Sequence, residues 1–186
     1  MRLRSTWYRR WFLLTERPRH RTIDLGLGVT CFVPLRGGGR GSIRVGNETK
    51  FGSPSAHRLG NGEVMLQANL PESEIVIGRD NWFNNNTMLC ALSSIRVGDN
   101  CRIGQGVFIM DADFHEINPA TRNRSEGLVR PVTIGNNVWI GSRTTVLKGV
   151  KIGDNSVIGA MSLVTKEVPE NTLVGGVPAR VIRKLE

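Results

Sequence analysis

Between Ile134 and Val168 the chain reads IGNNVW IGSRTT VLKGVK IGDNSV IGAMSL VTKEV. Ile134, Ile140, Val146, Ile152, Ile158 and Val164 open six successive hexads, and four positions after each stands Val138, Thr144, Val150, Ser156, Ser162 or Val168. Gly135, Gly141, Gly153 and Gly159 follow the opening residue in four hexads, with Leu147 and Thr165 in the other two. A period of six matches neither the 3.6 of a helix nor the 2 of a flat strand. It fits a short strand and a tight turn, repeated, with the aliphatic and the small residue pointing inward and glycine supplying the turn backbone. Three such faces close a triangular coil, which buries its apolar residues only by stacking on the next. The expectation is an all-β solenoid, a parallel β-helix. An ordinary sandwich does not hold phase over six hexads.

Outward from this stretch the pattern loosens without disappearing. Ile77, Phe83 and Leu89 share one phase; Val97, Ile103 and Ile109 share another, displaced by two residues at Ile95-Arg96. A fainter start shows at Val45-Gly46 and Phe51-Gly52. The division expected is a basic N-terminal capping segment at 1–42, the β-helix at 43–170, and a short tail at 171–186 that folds back along the side. An open solenoid end needs a cap, and the N-terminal segment is placed there. One interruption falls inside the strong region. Ile134 follows Ile109 by 25 positions, one more than four hexads, and the polar stretch 111–131 between them carries Arg122, Arg124, Glu126 and Gly127. A loop ejected from a rigid scaffold is where chemistry tends to be placed. It holds His115, one of three histidines, and histidine is the side chain best suited to take a proton near neutral pH.

Bulk properties bound the rest. The 186 residues suggest one domain of ordinary composition, 39% hydrophobic and 22% charged. No run of eighteen apolar residues exists, and Trp11-Phe12-Leu13-Leu14 is too short for a signal-peptide core, so a cytoplasmic protein is expected. Cys31, Cys90 and Cys101 are odd in number and lack metal-ligand spacing, which argues against a disulfide framework. Of the net charge of +9, residues 1–24 hold +5, seven arginines against Glu16 and Asp24. Such an arm reads first as a solvated or partner-facing segment and second as a weak contact with an anionic membrane surface. No recognition motif accompanies the charge, so nucleic acid is not expected as a partner.

The runs Pro131–Gly141, Val150–Ala160 and Gly175–Arg183 resemble hexapeptide-repeat O-acetyltransferases, most closely the galactoside, maltose and nodulation-sugar enzymes and those acting on surface polysaccharides. The resemblance is dense over 75–186 and weak over 1–74. It implies a left-handed parallel β-helix with a protruding catalytic loop, assembled as a homotrimer with acetyl-CoA as co-substrate in the cleft between neighbouring subunits and no metal. His115 matches the family's general base, which takes the proton of an attacking alcohol. An asparagine one coil away stabilises the oxyanion. Hexad register counted from Gly78 puts it at Asn84, with one residue of ambiguity in the run Asn84-Asn85-Asn86; an asparagine ladder satisfying turn backbone is the other reading of that run. Carried over residue by residue, Gly141 and Ser142 flank the thioester, Ala160 meets the pantetheine arm, and Thr165, Lys166, Arg180 and Arg183 face the nucleotide phosphates, where cations are required. Trp139 occupies an outward slot, against a neighbouring subunit or in the site. The sequence departs from the galactoside type at Ala91-Leu92-Ser93, where the family places an acceptor-binding aspartate, and at Asp111-Ala-Asp113-Phe ahead of the histidine. The acceptor implied is a sugar hydroxyl of a surface polysaccharide or its precursor.

Three other readings have sequence features of their own. An amino-sugar N-acetyltransferase would use the same base and donor site. A zinc hydratase on this fold needs three converging histidines, and only His20, His57 and His115 exist. A non-catalytic scaffold would need neither His115 nor Lys166.

Overall fold

The computed structural model describes residues 2–16, 23–56 and 61–186. Helix α1 (Arg2–Glu16) precedes a left-handed β-helix of six full coils. The first coil holds β1 (Ile23–Leu25), β2 (Thr30–Cys31) and β3 (Leu35–Gly39), and the second β4 (Ser42–Val45), β5 (Lys50–Phe51) and β6 (Val64–Ala68). The third holds β7 (Glu74–Ile77), β8 (Trp82–Phe83) and β9 (Met88–Ala91), and the fourth β10 (Ser94–Val97), β11 (Arg102–Ile103) and β12 (Phe108–Met110). The fifth and sixth are β13 (Val132–Ile134), β14 (Trp139–Ile140), β15 (Thr145–Val146), then β16 (Lys151–Ile152), β17 (Val157–Ile158) and β18 (Leu163–Val164). Like-placed strands of successive coils pair in parallel, giving three sheets.

The hexad positions become columns of interior side chains. Val45, Ile77, Val97, Ile134 and Ile152 stack in the first sheet; Phe51, Phe83, Ile103, Ile140 and Ile158 in the second; Leu66, Leu89, Ile109, Val146 and Val164 in the third. All are buried, and Phe51 and Phe83 stack at 5.5 Å. In these columns each coil after the first contributes three buried side chains, each worth roughly 1.5–3 kcal/mol of transfer free energy. An asparagine ladder does exist, but at the corner between first and second sheets. Asn100, Asn137, Asn155 and Asn171 take left-handed φ values of 50–59° there, and amide bonds of 3.0–3.1 Å link each to the next.

The ladders begin at Ile23, twenty residues ahead of position 43, where the period first shows in the sequence. Unequal corners hide the first coil: Leu35 and Ile43 are eight apart, and Cys31 stands where the second sheet in the next five coils carries Phe or Ile. Helix α1 packs on β2 and β3, with Phe12 fully buried against the open end. At the other end β19 (Thr172–Gly176) adds to the second sheet beside β17, and β20 (Ala179–Lys184) folds back antiparallel on it. Among the described residues no helix is long and apolar enough to cross a membrane.

The two-residue phase shift has a physical cause. The corner between β9 and β10 carries the extra residues, and the Asp111 carboxylate closes it. Asp111 is fully buried and accepts from the amides of Leu92 (2.7 Å) and Ser93 (2.8 Å).

Candidate active site

The site residues fall on two corners of the triangle. Asn84 follows β8 at the corner between second and third sheets. Ladder register places Gly104, Gly141 and Gly159 directly beyond it in successive coils. Close stacking explains the glycine at 141, since a Cβ there would lie 2.5 Å from the Ala160 amide nitrogen. Ser142 and Ala160 lie on the same corner, and the Ser142 carbonyl accepts from Met161 N at 2.8 Å. Thus Asn84, Gly141, Ser142 and Ala160 share one edge of the solenoid.

The neighbouring asparagines differ in exposure. Asn84 lines an open cleft of about 310 Å³ with Ser53, Trp82, Arg102, Gly104 and Trp139, and its Oδ1 accepts from Asn85 N at 2.7 Å. Asn85 is fully buried; its Oδ1 accepts from Ser53 N at 2.8 Å, and its Nδ2 has no partner. Trp139 is 58% exposed on the outer face of the second sheet.

His115 stands at the next corner, between third and first sheets, on the arm that leaves β12. The arm is stapled at its base by Arg130 N donating to Asp111 O (2.8 Å) and by the antiparallel bridge of Ala112 with Val129. Asp113 pairs with Lys148 of the next coil at 2.5 Å. Both aspartates ahead of the histidine therefore hold backbone or pair within the chain. Phe114, just before His115, sits at φ 64°, a conformation that costs a bulky residue roughly 1–2 kcal/mol. Gly127, at φ 70°, passes so close beneath that a Cβ would come within 2.2 Å of the His115 carbonyl oxygen. The exposed His115 ring borders a shallow polar hollow with Phe114, Asn123, Arg124, Ser125 and Glu126.

Thr165 and Lys166 follow β18 on this same corner, two coils beyond β12. With Arg180 of β20 they line a hollow of about 210 Å³ at the C-terminal end. Arg183 is exposed further along β20, opposite Leu173, outside that hollow. The structure thus gathers Thr165, Lys166 and Arg180, and separately Asn84, Gly141, Ser142 and Ala160. Within one chain His115 and Asn84 line different hollows. The hexad pattern had not pointed to Asp111, Lys148 or Arg102. Asp111 and Arg102 have a signal only once coil register is known, and Lys148 none beyond its charge.

Among the described residues no group of three or more His, Cys, Asp or Glu side chains is placed to hold a metal ion. His20 and His57 lie outside the described residues.

This geometry, a six-residue β-helix with a histidine-bearing arm, defines a class that comparison with known proteins makes specific. A family model described as "Bacterial transferase hexapeptide (six repeats)" matches residues 131–166, and one described as "Hexapeptide repeat of succinyl-transferase" matches 87–110. Galactoside O-acetyltransferase of Escherichia coli (strain K12) is 44% identical over 113 residues, 61% of this chain and 55% of that protein. The chain spans about half the length of the curated relatives it matches. A galactoside acetyltransferase solved in complex with coenzyme A is 34% identical and superposes with a TM-score of 0.56, covering 82% of this chain and 65% of that one. A point mutant of AntD, an N-acyltransferase from Bacillus cereus, solved with dTDP and coenzyme A, has a TM-score of 0.70 over 88% of this chain and 84% of its own at 21% identity, a likeness of fold alone. The repeat region of the chain is thus similar to hexapeptide-repeat acetyltransferases.

Proposed function

We propose that the protein is an acetyl-CoA-dependent O-acetyltransferase acting on a sugar hydroxyl of a surface polysaccharide or its precursor. The observation that carries the reading is the placement of His115 on a built arm, beside 44% identity to a galactoside O-acetyltransferase; Gly141, Ser142 and the cluster Thr165, Lys166 and Arg180 are assigned to the donor by the sequence resemblance. His115 takes the proton from the acceptor hydroxyl as its oxygen attacks the thioester carbonyl. The tetrahedral oxyanion is met by the Asn84 amide, which opens on the cleft. Collapse breaks the carbon–sulfur bond, and the thiolate of CoA leaves with a proton from the imidazolium. Lys166 and Arg180 meet the nucleotide phosphates, with Arg183 further along the tail, while Ser142 and Ala160 border the thioester and pantetheine. No metal takes part.

His115 and Asn84 lie on different corners of one chain, so a working site needs two copies. A closed homotrimer sets the His115 corner of one subunit against the Asn84 corner of the next and leaves no open interface. The basic N-terminal end of each solenoid then points the same way, toward a weak contact with an anionic membrane surface. Thiol release from acetyl-CoA, measured across sugar hydroxyl and amino-sugar acceptors, tests the reading. Turnover with hydroxyl acceptors is expected. Turnover with amines alone would make the protein an N-acetyltransferase of the same fold.

A further inference from the structure

The outer face of the second sheet carries a row of side chains that the acetyl-transfer step does not use. Lys50, Trp82, Arg102 and Trp139 stand in register on β5, β8, β11 and β14. Strand spacing sets Trp82 and Trp139 about 9.5 Å apart with Arg102 between them. Three of the four are held by contacts within the chain, and Trp139 is exposed. Trp82 Nε1 donates to Gly52 O (2.9 Å), and the Lys50 ammonium sits 5.2 Å from the centre of its ring. Arg102 Nη1 donates to the carbonyls of Asp80 (2.8 Å) and Cys101 (3.0 Å). Two neutral carbonyls fix the guanidinium in place, and among the described residues no carboxylate lies within ion-pair distance of it. Glu48 and Asp80 line the adjoining hollow, which it shares with Lys50, Trp82 and Arg102. The cleft beside Asn84 is lined by Ser53, Trp82, Asn84, Arg102, Gly104 and Trp139 and contains no acid.

Indole faces receive the apolar face of a sugar ring, and a held guanidinium offers paired donors that match a carboxylate or a phosphate in plane. We propose that this cleft is an acceptor subsite for a sugar bearing a negative charge, with Trp82 or Trp139 under the ring and Arg102 on the anionic group. The proposal rests on the acetyl-transfer reading for what becomes of the sugar, but the binding it describes does not require turnover. It also offers a reason for the departure at Ala91-Leu92-Ser93. A site that recognises its acceptor through a cation does not use an acceptor-binding aspartate.

The test uses the full chain and three probes of one sugar series: methyl glucoside, glucuronate and glucose 6-phosphate. The two anionic probes separate carboxylate from phosphate recognition. Binding is read by quenching of tryptophan fluorescence in the absence of acetyl-CoA, and transfer by thiol release in its presence. The wild type is expected to bind at least one anionic probe at least tenfold more tightly than methyl glucoside, and to show the same order in kcat/KM. Arg102→Gln is expected to lower that preference at least tenfold, and Arg102→Lys to restore part of it. Equal affinity for neutral and anionic probes in the wild type overturns the proposal, as does a preference that survives Arg102→Gln. If no acceptor is acetylated but the Arg102-dependent binding is present, the acetyl-transfer reading fails and the anionic subsite stands.

Discussion

Replacing Asp111 with alanine removes a buried carboxylate that holds the chain where the repeat phase shifts. Its two oxygens accept from Leu92 N at 2.7 Å and Ser93 N at 2.8 Å, and the residue is fully shielded from water. Alanine leaves both amides without an acceptor. A buried donor stripped of its partner costs about 1–3 kcal/mol. Relief of the desolvated charge offsets part of this, so a net loss of about 2–4 kcal/mol follows. For a chain of this size each kcal/mol moves Tm by about 2–4 °C, which places the variant about 4–16 °C below wild type. Asp111→Asn, which keeps one acceptor oxygen, falls between the two. Thermal unfolding followed by far-UV circular dichroism measures the shift. Acetyl transfer is expected to fall as well, because His115 lies four residues beyond the staple. A Tm within about 2 °C of wild type for Asp111→Ala would show that these hydrogen bonds do not hold the corner.

Other expectations follow from the same structure. His115→Ala should leave the Tm unchanged and lower kcat by about 10²–10⁴, the usual cost of losing a general base; wild-type turnover removes it from the mechanism. Lys166→Ala and Arg180→Ala should each raise KM for acetyl-CoA well above any effect on the acceptor, and an unchanged donor KM in both would displace the nucleotide from the C-terminal hollow. Burial pushes the Cys31 thiol up to about 12 and the Cys101 thiol up to about 11, from 9.0. In that interval the folded state keeps protons that the unfolded state has released. Stability is therefore full below about pH 9 and falls as pH rises toward 11–12. Urea midpoints measured from pH 8 to 11 should decline, and the decline should flatten in a Cys31→Ala/Cys101→Ala variant; a wild-type midpoint constant to pH 11 contradicts the shift.

The solenoid was legible from Ile134 to Val168 because the opening position of every hexad there carries a buried aliphatic side chain, and one strand and one turn take six residues. Legibility failed where corners lengthen. The first coil escaped because Leu35 and Ile43 are eight apart, and its interior includes Cys31. The arm bearing His115 announced itself by breaking phase. What holds it did not, because Asp111 reaches back eighteen and nineteen residues to Ser93 and Leu92, a pairing that exists only once coils stack. The same holds for Trp82, Arg102 and Trp139, which are scattered in sequence and neighbours only through the ladder. The run Asn84-Asn85-Asn86 could not be resolved by counting; burial separates Asn84, which opens on the cleft, from Asn85, which is sealed inside.

The central claim is that His115 and Asn84 act together across a boundary between two copies of the chain. Coexpression of His115→Ala with Asn84→Ala, carrying different affinity tags so that mixed assemblies are isolated, tests it most directly. In a trimeric ring with each site built from adjacent subunits, every mixed ring contains one intact pair. Mixed rings should then recover about a third of wild-type acetyl transfer, and a random equimolar population about a quarter. Mixed assemblies no more active than the two single variants would contradict a site shared between subunits.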